Sequence, residues 1–229
     1  MGNISDNLKR IREDIAAAEA AGGRKEGSVR LICVSKTVGE EEVREAVRCG
    51  QRDFAENRVQ LLRDKQEKLA DLSGELHWHL IGQLQTNKIK YCAGKVDLIH
   101  SVDRIELAAA LGKFGAVRGL TVKGLLEVNI SGEESKTGLP LKDTDAFIEA
   151  FAGIPNVELC GIMTMAPEGA SEKELRKIFS AARELGEKIG SMKIANAPMG
   201  QLSMGMSGDY KEAILEGATM VRIGRAVFL

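Results

Sequence analysis

Apolar residues recur along this chain with two alternating periods. The first stretch steps Ile4, Leu8, Ile11, Ile15, Ala18, the spacing of one α-helical face. The pair Gly22-Gly23 stops it. Val29-Arg-Leu-Ile-Cys-Val34 then reads as a buried strand. Helical spacing returns over 40–49, with Gly50 as its stop. A short strand is expected at 53–55 and an amphipathic helix over 57–72, ended by Ser73-Gly74. Strands at 77–81 and 96–102 flank a short helix over 86–93. Asp103, with Glu106 three residues on, reads as the capping box of the next helix.

The second half keeps the rhythm. Strands are expected at 122–130, 157–163, 201–203 and 219–223, with helices over 141–152, from Ser171 onward, and over 207–215. Ser171 and Glu174 form a second capping box, ahead of the stripe Leu175, Ile178, Phe179, Ala182, Leu185, Ile189. Eight strands, each of the first seven followed by a helix, imply a parallel sheet. Eight such units in this length match a single-domain α/β fold, a (β/α)8 TIM barrel over 29–228, with an additional N-terminal helix within 1–23. The competing doubly wound sheet calls for G-x-G-x-x-G after the first strand. Val34-Ser-Lys-Thr-Val-Gly39 lacks it.

Composition narrows the function classes. Of 229 residues, 32 are Lys or Arg and 33 Asp or Glu, a net charge of −1. A nucleic-acid or anionic-membrane binder would carry a basic excess. No apolar run reaches the roughly 18 residues of a membrane span, and the charged N-terminus does not resemble a secretory signal. A cytoplasmic location is expected. Cys33, Cys49, Cys92 and Cys160 form no C-x-x-C pair and read as reduced, buried thiols. His77 and His79 share one strand face, the geometry of a metal pair, but no third ligand stands at recognisable spacing.

Barrel active sites lie at the C-terminal strand ends, and phosphate sites commonly use the loops after strands seven and eight. Those loops are here Ser203-Met-Gly-Met-Ser207 and Gly224-Arg225. Small residues leading into a helix offer N–H groups and hydroxyls to an anion; a turn that merely caps a helix has the same composition. Lys36 follows the first strand, with its stem expected in the barrel wall. A desolvated amine there would be a nucleophile toward a carbonyl; the alternative is a lysine whose ammonium reaches water at the rim. Together, amine and anion cup suggest a phosphorylated aldehyde or ketone held as a Schiff base. Pyridoxal phosphate (PLP) and a sugar-phosphate aldolase substrate both qualify. Arg222, in the last strand, can donate to a ring nitrogen if it points into the mouth, or can pair with a wall carboxylate.

Several motifs in order then carry a resemblance: Val34-Ser-Lys-Thr37, Phe54-Ala-Glu-Asn-Arg-Val-Gln60, His77-Trp-His-Leu-Ile-Gly-Gln-Leu-Gln-Thr-Asn-Lys88, Gly161-Ile-Met-Thr-Met165, Leu202-Ser-Met-Gly-Met-Ser207 and Val221-Arg-Ile-Gly224. From about Val29 to Phe228 the chain resembles the pyridoxal phosphate homeostasis protein family (the YggS/PROSC family), relatives of the alanine racemase N-terminal barrel. The resemblance implies a PLP-carrying barrel. Lys36 matches the Schiff-base lysine. Ser203, Gly224 and Arg225 match phosphate-binding positions, with Ser207 a helper. Arg222 matches the arginine facing the pyridine nitrogen. Asn57, Met163 and Ile81 match pocket-lining positions. Ala55 and Arg225 depart from the family pattern, which has Gly and a small residue there.

A racemase of the related type takes its second base from a C-terminal domain. This chain, read to Leu229, closes on its eighth strand, and Tyr91 and Tyr210 fall at no obvious strand end. The resemblance therefore implies a non-catalytic PLP carrier in vitamin B6 homeostasis, with PLP-dependent apo-enzymes as possible recipients. A monomer is expected, since no further apolar stripe stands out. A PLP-dependent amino-acid racemase is the alternative, and a Schiff-base aldolase a third reading.

Overall fold

The protein's computed structural model describes residues 3–133 and 136–229. Its centre is a closed barrel of eight parallel strands. These are β1 (Arg30–Val34), β2 (Asp53–Glu56), β3 (His77–Leu80), β4 (Leu98–Val102), β5 (Val122–Asn129), β7 (Val157–Met163), β8 (Gln201–Ser203) and β9 (Met220–Ile223). Hydrogen-bonded neighbours run β4-β3-β2-β1-β9-β8-β7-β5, and β4 pairs with β5 to close the ring. β9 lies against β1 in register, Arg30 opposite Met220 and Cys33 opposite Ile223. The (β/α)8 barrel expected from the alternating periods is thus the observed architecture. A two-residue strand, β6 (Leu139–Pro140), extends the sheet beside the end of β5 and was not expected.

Helices α2 (Glu40–Arg48), α3 (Val59–Lys68), α4 (Ile89–Cys92), α5 (Ile105–Arg118), α6 (Thr144–Phe151), α7 (Glu172–Ser191), α8 (Tyr210–Leu215) and α9 (Arg225–Phe228) follow the strands. α1 (Ile4–Ala21) precedes them and buries Ile4, Leu8, Ile11, Ile15 and Ala18, the face its spacing predicts. Asn3 caps it by accepting the Ser5 N–H at 2.9 Å. Across the seam, Tyr210 donates to Asp14 at 2.7 Å and Asn7 to the Val227 carbonyl at 3.1 Å. The N-terminal helix is thereby fastened to the C-terminal elements. The α7 capping box is formed as expected: the Glu174 carboxylate accepts the Ser171 N–H at 2.9 Å.

Three sequence expectations need correction. Asp103 does not cap α5; its carboxylate accepts from the Arg104 guanidinium at 2.6 Å, and Arg104 occupies the cap position. The helix expected from Ser207 starts at Tyr210, because residues 204–209 are spent on a tight turn. The helix expected over 57–72 ends at Lys68 and continues as a 3-10 turn over Ala70–Leu72.

Alternation along each strand divides the core in two. The outer layer packs strands against helices around Phe54, Leu80, Phe151 and Phe179. The inner layer holds Ile32, Val34, Ala55, Leu98, Leu125, Cys160, Met163 and Met220. Polar side chains are also buried on the strands: His79, His100, Ser203, Glu127 and Arg222. Buried polar groups persist where they find partners, and these partners are what shape the site.

Candidate functional site

A cavity of about 730 Å³ opens among the C-terminal strand ends. Lys36, Asn57, Ile81, Met163, Ser207, Arg222, Gly224 and Arg225 all line it. Ser203 does not. It is fully buried, and its hydroxyl lies 2.6 Å from Arg222 Nη1 and 2.9 Å from His100 Nδ1. The structure therefore brings eight of the nine sequence-predicted residues to one mouth and sets Ser203 behind Arg222.

Lys36 corrects one premise of the sequence reading. It is exposed at the rim and not buried in the barrel wall. Among the described residues it has no ion-pair or hydrogen-bond partner, so its amine is free to meet a ligand. What is buried is its base. Ser35 is fully enclosed: its hydroxyl donates to Glu56 Oε1 at 2.7 Å, and its carbonyl accepts from Lys65. Lys65 also pairs with Glu56. The residue before Lys36 is thus clamped through both side chain and backbone.

Beside Lys36, after the neighbouring strands β9 and β8, stand the two small-residue turns. Gly205, at φ +91°, turns the chain after β8; a Cβ there would lie 2.6 Å from Ala213 Cβ. Asp209 Oδ1 accepts the Met206 N–H at 2.5 Å, and the Arg222 N–H donates to the Gly205 carbonyl at 2.9 Å. Ser207 Oγ accepts the Ala226 N–H at 3.4 Å and so joins one turn to the other. The N–H groups of Ser207, Gly208 and Arg225 find no acceptor among the described residues. Gly224 rests on Val34, whose carbonyl oxygen would be 3.0 Å from an added Cβ. The Arg225 side chain is 76% exposed and reaches Glu168 at 3.5 Å, so it leaves the turn uncrowded.

Arg222 is 3% exposed. Its Nη2 donates to the Thr164 carbonyl at 3.0 Å. Burial lowers its pKa to about 10, opposed by the carboxylates of Asp209 and Glu127, so it is charged at neutral pH. Burial in turn raises the pKa of Glu127, which accepts from Thr137. Cavity, free amine, free amides and a fixed guanidinium together suit a small molecule bearing an electrophilic carbonyl and an anionic group.

The family model for the alanine racemase N-terminal domain matches residues 4–229. The chain belongs to this family. A protein of Aquifex aeolicus named pyridoxal phosphate homeostasis protein is 42% identical over 99% of this chain and 97% of its own. The Escherichia coli K12 protein of the same name is 37% identical over 100% and 97%. PipY of Synechococcus elongatus, solved with PLP bound, is 35% identical with a TM-score of 0.82, over 94% of this chain and 100% of its own. Alanine racemase of Corynebacterium glutamicum, at 14% identity and TM-score 0.69 over 96% of this chain and 61% of its own, shares the fold.

Two features escaped the sequence reading. Glu56 falls between the strand expected at 53–55 and the helix expected over 57–72, and Lys65 within that helix, with no role marked for either. The sequence pairs His79 with His77 on one strand face, yet the ring that meets His79, at 3.0 Å, is that of His100. No metal-ligand cluster of three exists among the described residues. His77 faces out and contacts Asp97 at 3.2 Å. Tyr210, bound to Asp14, and Tyr91, beneath the Arg63 guanidinium at 4.7 Å, do not line the cavity. Cys33, Cys49, Cys92 and Cys160 are free thiols, and no helix among the described residues is long and apolar enough to cross a membrane.

Proposed function

We propose that this chain binds pyridoxal 5'-phosphate in the barrel-mouth cavity and serves vitamin B6 homeostasis, holding the cofactor as a Schiff base on Lys36 with little or no turnover. One observation carries this: a free lysine amine and a set of free turn amides line the same cavity. The residues fit the group. Condensation of the Lys36 amine with the cofactor's aldehyde forms the C=N bond and releases one water. The Ser207, Gly208 and Arg225 amides, with Gly224 giving close approach and the Ser207 hydroxyl nearby, are the donors for the phosphate. Hydrogen bonds to a charged acceptor contribute about 1.5–3 kcal/mol each. Asn57, Ile81 and Met163 form walls for the ring. Arg222, charged at neutral pH, faces the pyridine nitrogen as a donor that keeps its proton, and so leaves the ring a weak electron sink. Ser203 acts from behind Arg222.

The names of the relatives support a homeostatic role. In this reading the chain works as a cytoplasmic monomer and PLP-dependent apo-enzymes receive the cofactor. Borohydride reduction of PLP-treated protein, followed by digestion and mass spectrometry, tests the site. A pyridoxyl group on Lys36, lost in Lys36→Ala, is expected; no adduct on the wild type refutes the proposal. Rapid Lys36-dependent deuterium exchange at the α-carbon of alanine would favour a racemase-type enzyme instead.

A further inference from the structure

Four hydrogen bonds run in series through the barrel from the cavity to its other end. Arg222 Nη1 lies 2.6 Å from Ser203 Oγ, Ser203 Oγ 2.9 Å from His100 Nδ1, His100 Nε2 3.0 Å from His79 Nδ1, and His79 Nε2 3.2 Å from Asp53 Oδ1. Both imidazoles are fully buried and stand edge to face at 81°. Asp53 begins β2 at the N-terminal end, touches Arg30 at 3.5 Å and lines a second cavity of about 430 Å³. The chain therefore links one mouth of the barrel to the other.

With both imidazoles neutral and Asp53 ionised, the protons in this chain have one consistent arrangement. Arginine donates and cannot accept, and an ionised carboxylate accepts and cannot donate. Arg222 must therefore donate to the Ser203 oxygen, and the Ser203 hydroxyl hydrogen is free to go to His100 Nδ1. With Nδ1 accepting, a neutral His100 carries its proton on Nε2 and gives it to His79 Nδ1. His79 in turn carries its proton on Nε2 and gives it to Asp53. A proton added to either ring breaks this order: it sets two N–H groups against each other or an N–H against the serine hydrogen unless the neighbouring ring changes tautomer and the serine hydroxyl turns. All four bonds point the same way, from the buried cation to the carboxylate, and bonds so aligned polarise one another.

We propose that His100, His79 and Asp53 are positioning residues for Arg222, a one-way hydrogen-bond chain that fixes the guanidinium beneath the ligand cavity and occupies Ser203 in the task. The chain itself is a property of the protein without ligand. Only its effect on bound PLP rests on the function proposed above.

The test has two arms. On cofactor-free wild type, long-range 1H–15N spectra should show His79 and His100 as neutral Nε2–H tautomers at pH 7, with exposed His77 as the internal reference. An Nδ1–H tautomer or an imidazolium at either site overturns the proposal. In the second arm, His79→Phe keeps a ring but breaks both bonds, whereas His79→Gln keeps one acceptor and one donor. His79→Phe should still take a borohydride-trapped pyridoxyl group on Lys36, yet release PLP about fivefold faster than wild type. Its cofactor absorption band should shift, and His79→Gln should restore both properties. A folded His79→Phe with wild-type release and band overturns the inference. If His79→Phe does not fold, the tautomers and the His79→Gln release rate decide. Failure of wild type to form any adduct sinks the PLP reading alone, since the tautomers are measured without it.

Discussion

The clamp beneath Lys36 makes a quantitative prediction. The Glu56 side chain is 0% exposed and its Lys65 partner 8%. Glu56 Oε1 takes both the Ser35 hydroxyl and the Lys65 ammonium, while Oε2 has no partner among the described residues. Lys65→Met would leave a buried carboxylate with one neutral hydrogen bond, and would strip the Ser35 carbonyl of its ammonium donor. Removing one member of a buried pair costs about 3–5 kcal/mol. With a urea m-value of about 2 kcal/mol per molar, the unfolding midpoint at pH 7 should fall by about 1.5–2.5 M. Glu56→Gln combined with Lys65→Met removes the stranded charge and keeps an acceptor for Ser35, so the double variant should recover more than half of that loss. A Lys65→Met cost below about 1 kcal/mol, or a double variant no better than the single one, would refute this account of the clamp.

Three further outcomes are expected. The folded-state pKa of His100 is held well below 6.5, by burial first and then by His79 and Arg222. The unfolded chain then takes up a proton that the fold refuses, so stability from this group is complete above pH 6.5 and falls by about 1.4 kcal/mol per unit below it. Buried Glu127 acts in the opposite sense, so the slope is read as the difference between wild type and His100→Gln in urea unfolding from pH 7 to pH 5; equal slopes would contradict it. Gly82→Ala places a Cβ 2.1 Å from the Asn57 carbonyl oxygen, backbone against backbone. It should cost at least about 2 kcal/mol by chemical denaturation and displace Asn57 from the cavity wall; a near-neutral effect would show the loop to be pliant. Arg225→Thr removes an exposed side chain but keeps the amide, so stability should change by no more than about 0.5 kcal/mol, and PLP retention, followed by dialysis and absorbance, should hold.

What could be read from the sequence was what repeats. The 3.6-residue stripe of α1 and the short runs around Ile32, Leu80 and Leu126 each announce one layer of a barrel, because burial on a helix face or a strand is a local pattern. The strand ends followed from that order, and with them Lys36, Asn57, Met163 and the two turns. Lys36 shows the limit of such reasoning. Its strand neighbours are buried, and from them the lysine itself was expected to be, yet β1 ends at Val34 and the chain has already emerged at Lys36. Asp103 failed similarly: its spacing to Glu106 fits a cap, but the adjacent Arg104 competes for the carboxylate at 2.6 Å.

The buried polar chain illustrates a different kind of illegibility. Ser203 and His100 are 103 residues apart, and His79 and His100 are 21 apart on neighbouring strands. No local period encodes such a contact, since it depends on the register of β3 against β4, where His79 pairs with Leu98. Sequence placed Ser203 at the phosphate by its position in a motif. Its hydroxyl has instead one hydrogen to give and the Arg222 guanidinium to receive, and full burial leaves it no access to the mouth. The same serine can belong to a binding motif and never touch a ligand, provided that the residue it holds does. That distinction is physical. A contact residue replaced by alanine loses one bond to the ligand, whereas Ser203→Ala would leave both a buried arginine N–H and a histidine nitrogen without their partner, and so would disturb the site from beneath.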